Sequence, residues 1–208
     1  MVFRLWRNSN KSSKMSALNH ITIGEYLNLS GGDKSVYDML LSSTKPTKDI
    51  WLKVGKNLVK IQPKHYDLWD FTYSDIIEMK MAFAELKDFD ITTEISRIVY
   101  RIASPEKVFD ISFLNIASGF TWVVEEFTQL LEVEHAELNY EPNEKEKAAG
   151  VDDMSRFGHL PAIRSVCASM NMNEEQVMSL PYHKVFQELC YQKTINQIHK
   201  KMIQNAGK

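Results

Sequence analysis

Between Phe113 and Leu131, apolar side chains return at every third or fourth position: Phe113, Ile116, Ala117, Phe120, Val123, Val124, Phe127, Leu130 and Leu131. That spacing gathers them on one stripe of a long α-helix, and so broad a stripe must be covered by other elements. A chain organised around such a helix is expected to be all-α or mainly α, a multi-helix bundle. Covering material is available: the 208 residues are 44% hydrophobic and 11% aromatic, enough for a buried core and unlike a disordered chain. Glu125, Glu126 and Gln129 interrupt the stripe. It therefore reads as a core helix and not as a bilayer span, which needs about 20 consecutive apolar residues.

Other segments carry helix signals of their own. Ile21–Leu27 fits a strand or a helix start, and Thr22 with Glu25 has the form of a capping box, which favours helix. Gly31-Gly32-Asp33 reads as a turn before a helical repeat of Val36, Met39 and Leu40. Trp51, Val54, Leu58, Val59 and Ile61 suggest another helix, ended by Pro63. Ser74 opens one with Asp75 and Glu78 in its first turn. Thr92 and Thr93 precede one using Ile95, Ile98, Val99 and Ile102, which Pro105 closes. Toward the C-terminus, a helix over Ile163–Met170 precedes one capped by Asn173 with Gln176, again a capping box. Pro181 suits the first position of a last helix, with Val185, Phe186, Leu189, Ile195 and Ile198 assigned to one face. The expected organisation is a basic arm at 1–20, a helical domain at 21–138, a solvated linker at 139–155 and a helical module at 156–204.

Net charge is -2 and the isoelectric point about 6.3, without the basic excess of a dedicated nucleic-acid binder. Residues 1–14 hold Arg4, Arg7, Lys11 and Lys14 and no acid. They read as an exposed basic arm able to touch DNA phosphate, with a presequence and a second start at Met15 as alternatives. The helix-turn-helix outline over Ile163–Ser179 resembles a DNA-reading hairpin, but its second helix opens on Glu174-Glu175, where a phosphate-facing start avoids acids. Cys167 and Cys190 are too far apart in sequence for a zinc motif and read as reduced thiols.

Residue patterns that announce catalysis are not found. There is no GxGxxG, no His-Glu-x-x-His and no Gly-x-Ser-x-Gly, and Gly55-Lys56-Asn57 lacks the rest of a phosphate loop. Glu134 and Glu137 share a helix face that His135 leaves, so Glu132–Glu137 reads as an exposed acidic helix end and no metal is assigned. No catalytic, cofactor or metal residue is expected. The surplus instead suits protein contact: four tryptophans and ten methionines, with Tyr66, Trp69, Phe71 and Tyr73 clustered beside Pro63. Those four aromatics, with Glu132 and Glu134, are the candidate partner-binding residues.

Ala148-Ala149-Gly150-Val151, Phe157-Gly158, the helix over Ile163–Ala168, and Leu180-Pro181-Tyr182 with Val185-Phe186 and Leu189 form a longer pattern. Together they resemble small helical morphogenesis proteins of tailed bacteriophages: head–tail connector or ring proteins and tail-assembly-chaperone-like proteins, notably of the crAss-like group. The opening Ile21-Thr22-Ile23…Glu25-Tyr26…Leu27 and the Trp122–Phe127 region are similar in character. The resemblance covers about the last third and supplies no catalytic residue. It implies a non-enzymatic protein made in the host cytoplasm, built into the virion as a homo-oligomeric ring, with portal, tail or neighbouring ring proteins as partners. A soluble chaperone absent from the particle is the alternative, and a helical DNA-binding regulator stands behind both.

Overall fold

The structure, a computed structural model, describes residues 21–29, 45–54, 57–86, 88–102, 105–108 and 110–206. The basic arm at 1–20, the turn at Gly31–Asp33 and the helical repeat through Leu40 lie outside the described residues. In chain order the elements are α1 (Ile23–Leu27), β1 (Ile50–Val54), β2 (Asn57–Ile61), a 3-10 turn (Leu68–Asp70), α2 (Tyr73–Glu85), α3 (Asp88–Tyr100) and α4 (Pro105–Val108). They continue as α5 (Phe113–Leu138), α6 (Glu144–Ala148), a second 3-10 helix (Val151–Phe157), α7 (Leu160–Met170), α8 (Glu174–Ser179) and α9 (Tyr182–Ala206). The protein is mainly α-helical. It divides into two compact units, Met1–Lys64 with Leu86–Glu125 and His65–Glu85 with Glu126–Lys208. The division thus falls inside α5, while the stretch at 139–155 carries α6 and most of the second 3-10 helix.

In the first unit, α1 begins where the capping box placed it: Thr22 accepts from the Glu25 amide, and the Glu25 carboxylate accepts from the Thr22 amide at 2.8 Å. Ile111 and Ser112, just before α5, are bridged on both sides, Ser112 to Thr22 and Ile111 to Leu52. Tyr26 stacks on Phe113 with ring centroids 3.7 Å apart. Beneath lie Ile50, Ile95, Val99, Val108, Ile111, Trp122 and Val123, all buried.

Trp51–Ile61 corrects the helix expected there. It is an antiparallel hairpin, Ile50 facing Ile61 and Val54 facing Asn57. Spacings that look helical across Gly55-Lys56 arise because two short strands lie back to back in sequence, and Ile, Val and Trp suit a pleated surface. The α3 helix starts at Asp88, ahead of Thr92 and Thr93, whose place is inside it. Ser96 donates to the Thr92 carbonyl at 2.7 Å, so that threonine belongs to the helical ladder and does not cap it. Arg101, with φ of 56°, ends α3 in the left-handed region, and Pro105 opens α4.

The second unit is centred on Leu68, Phe71, Tyr73, Ile76, Met79, Phe127, Leu130, Val166, Val177, Tyr182 and Val185, all buried. A long-range feature of this unit is an extended bridge between Thr72 and Pro181. There the Tyr73 amide donates to Leu180 O at 2.8 Å and the Tyr182 amide to Phe71 O at 2.7 Å. This short ladder brings the starts of α2 and α9 together. The α8 capping box, Asn173 with Gln176, is formed as the sequence suggests. Asn171 takes a left-handed conformation to end α7 and set the turn.

Candidate functional site

Three faces of the second unit converge on a cleft of about 560 Å³, in the size range of small-ligand sites. On α2, Tyr73 and Lys80 lie two turns apart on one side; on α5, Glu134 and Leu138 lie one turn apart. On α9, Tyr182, Leu189, Lys193, Asn196 and Lys200 recur at three, four or seven positions and form a single row. His159 and Ala162 of the α7 segment, and Tyr140 and Glu146 around α6, supply further wall.

The floor is a saturated polar cluster. Lys80 Nζ donates to both oxygens of Glu134 at 2.6 Å, and Tyr182 Oη donates to Glu134 Oε2 at 2.7 Å. Burial first, then the Glu134 charge, push the Tyr73 phenol up to about 12. The same causes, with the hydrogen bond to Glu134, raise Tyr182 further. Both hydroxyls therefore stay protonated at neutral pH, and that of Tyr182 donates to Glu134. Burial, with the nearby Lys80 charge, lowers the His159 imidazole below its usual range and keeps it neutral.

The mouth is held by a second cluster. Glu146 accepts from Lys200 at 2.7 Å, from the Tyr140 hydroxyl, and from the Asn143 amide at 2.9 Å. Those bonds, Lys200 first, hold its carboxyl down at about 2 and raise Lys200 in turn. Lys193 is placed differently: its ammonium donates to Glu137 O at 2.5 Å and Asn139 O at 3.1 Å, closing the carbonyl end of α5. Such a site can hold a ligand by burial and by polar contacts at its rim. Among the described residues, no group of three or more His, Cys, Asp or Glu side chains is placed to hold a metal ion.

The aromatic cluster expected at a contact surface is divided by the fold. Phe71 is fully buried and Tyr73 is 4% exposed, so both belong to the core, with Tyr73 also reaching the cleft wall. Their burial follows from the Thr72–Pro181 bridge, which turns that segment inward. Trp69 is half-buried, packed edge-on against Phe186 at 5.0 Å, and Tyr66 is 46% exposed. Glu132 is exposed, whereas Glu134 faces the cleft. Of the six candidate residues, the cleft unites Tyr73 and Glu134. Lys80 and Lys193 escaped the sequence reading and Tyr182 entered it only through the motif resemblance, although the α9 row of Leu189, Lys193, Asn196 and Lys200 is legible as a helical repeat.

A second feature lies on the opposite side of α9. Tyr191, Ile195, Ile198 and Met202 recur with helical spacing; Ile195 is half-buried, while Tyr191, Ile198 and Met202 are 62%, 46% and 63% exposed. This corrects the assignment of Ile195 and Ile198 to the face of Val185 and Leu189: over that distance the 3.6-residue period carries them round the helix. Cys167 and Cys190 are free thiols. No helix among the described residues is long and apolar enough to cross a membrane. No protein-family model, curated protein or solved structure matches the chain.

Proposed function

We propose that this chain is a non-enzymatic virion-morphogenesis protein of a tailed bacteriophage, acting by protein–protein contact as a head–tail connector or tail-ring component. The observation that carries the reading is the apolar row on α9. A 25-residue helix that leaves Tyr191, Ile198 and Met202 in water has a face shaped for another chain. A closed ring needs two different patches on each protomer. The β1–β2 hairpin supplies a second, since Trp51 and Leu58 share one of its faces and both are exposed. The motif resemblance around Ala148–Val151, Phe157-Gly158 and Leu180–Leu189 supports the same class of protein.

The test is quantitative mass spectrometry of purified particles from the phage that encodes the chain, together with the mass of the isolated protein in solution. A fixed, ring-like ratio to the portal protein is the expected result. The chain present in infected cells but absent from particles would overturn the ring and support a soluble tail-assembly chaperone. The exposed methionines Met81, Met154 and Met202 favour that second reading, because flexible thioethers suit transient, adaptable contacts.

A further inference from the structure

Along α9 the cleft wall changes character in one direction. Tyr182, at the helix start, is buried in the polar floor; Leu189 is half-buried; Lys193 follows; Asn196 and Lys200 are exposed at the mouth. Between floor and mouth the wall is apolar, formed by Leu138, Ala162 and Leu189. The floor offers a ligand no unbalanced charge, because Lys80 and Tyr182 both bond the Glu134 carboxylate. An apolar body therefore belongs in the middle of the cleft, and any charged group belongs at its mouth.

The sign of that charge follows from the pairing of the lining. Lys80 is neutralised by Glu134, and Lys200 by Glu146. Lys193 faces the same space with no carboxylate partner among the described residues; its ammonium donates to two backbone carbonyls and retains a third N–H. With His159 neutral, the lining carries one cation more than its carboxylates balance. Asn196, one turn along the same row, adds a carboxamide donor. This complements a single negative charge and fits a carboxylate better than a doubly charged phosphate.

We propose that the cleft binds a small organic monocarboxylate, its carboxylate at Lys193 and its apolar body against Leu138, Ala162 and Leu189. The site is separate from the apolar row of α9 and does not depend on the ring reading.

The probe is octanoate, titrated into the full chain and followed by amide chemical shifts and calorimetry. Saturable binding is expected, with shifts at Leu138, Ala162 and Leu189, and octanol and octylammonium binding at least about tenfold more weakly. Lys193→Met should weaken octanoate by about tenfold or more, and Lys193→Arg should recover it. Because Lys193 also closes the end of α5, Ala162→Trp provides a second variant: it fills the wall, keeps the charge and should abolish binding. Ile198→Lys, on the opposite face, should leave octanoate binding unchanged whatever it does to assembly. Equal binding of octylammonium, unchanged affinity in Lys193→Met, or undiminished binding in Ala162→Trp would overturn the proposal. So would saturation by a peptide ending in a free Leu carboxylate when octanoate fails to bind, which would assign the cleft to a chain terminus.

Discussion

Lys80 on α2 and Glu134 on α5 stand 54 residues apart in sequence, and the ammonium meets both carboxylate oxygens at 2.6 Å. Each side chain is about one-fifth exposed, and Tyr182 adds its hydroxyl to the same carboxylate. This pair ties two helices of the second unit, and removing either charge strands the other in a half-dry site. Glu134→Leu is therefore expected to destabilise the protein by about 1–3 kcal/mol, short of a fully buried pair because water still reaches both groups. Lys80→Met with Glu134→Leu should recover part of that loss. Urea unfolding of the two single variants and the double variant measures the coupling.

The Tyr100 hydroxyl in the first unit is buried and has no hydrogen-bond partner among the described residues. A methyl group at Gly119 would sit 2.6 Å from that oxygen and 2.8 Å from Ile50 Cγ2. Gly119→Ala gains helix propensity but overpacks, and a net cost of about 1–2 kcal/mol is expected. Tyr100→Phe removes an unsatisfied group and should be neutral or stabilising by up to about 1 kcal/mol. Combined, the two should cost less than their sum, because the phenyl ring no longer carries the atom nearest the new methyl. Thermal melts of all three variants decide it.

Glu146 gives a pH signature. Its carboxyl is held at about 2 by bonds from Lys200, Tyr140 and the Asn143 amide. A carboxyl lowered on folding contributes stability that is present above its unfolded value, near 4.3, and lost as pH falls from there toward 2. Carbon-13 NMR titration should show Glu146 as the late-protonating carboxyl of the α6 segment. Lys200→Met should move its midpoint back toward the ordinary range.

Ile198→Lys and Met202→Lys replace side chains that stand in water, so the protomer's melting should change by no more than about 0.5 kcal/mol. If the α9 row joins copies, light scattering should show the same variants at lower mass than wild type. Loss of protomer stability in either variant would mean that the row packs within the chain.

Asn173 accepts from the Gln176 amide at 2.8 Å, and Gln176 answers by accepting from the Asn173 amide at 2.9 Å. Asn173→Ala should cost about 1 kcal/mol by chemical denaturation, whereas Asn173→Ser should cost little.

Local patterns with local causes were decided by the sequence itself. The stripe from Phe113 to Leu131 repeats over enough turns that only a helix satisfies it. The Thr22–Glu25 and Asn173–Gln176 boxes lie three residues apart, so the partners of those first amides are written into the chain. Where the deciding partner is remote, the sequence was silent or misleading. Trp51–Ile61 has apolar residues spaced for either period, and strand pairing with a bridge from Leu52 to Ile111 settles it. Phe71 and Tyr73 look like surface aromatics until the Thr72–Pro181 bridge turns them inward. The cleft is of the same kind: Lys80, Glu134 and Tyr182 acquire their roles only when α2, α5 and α9 meet, because a carboxylate holding an ammonium and a phenol is a fact of tertiary distance and not of sequence spacing.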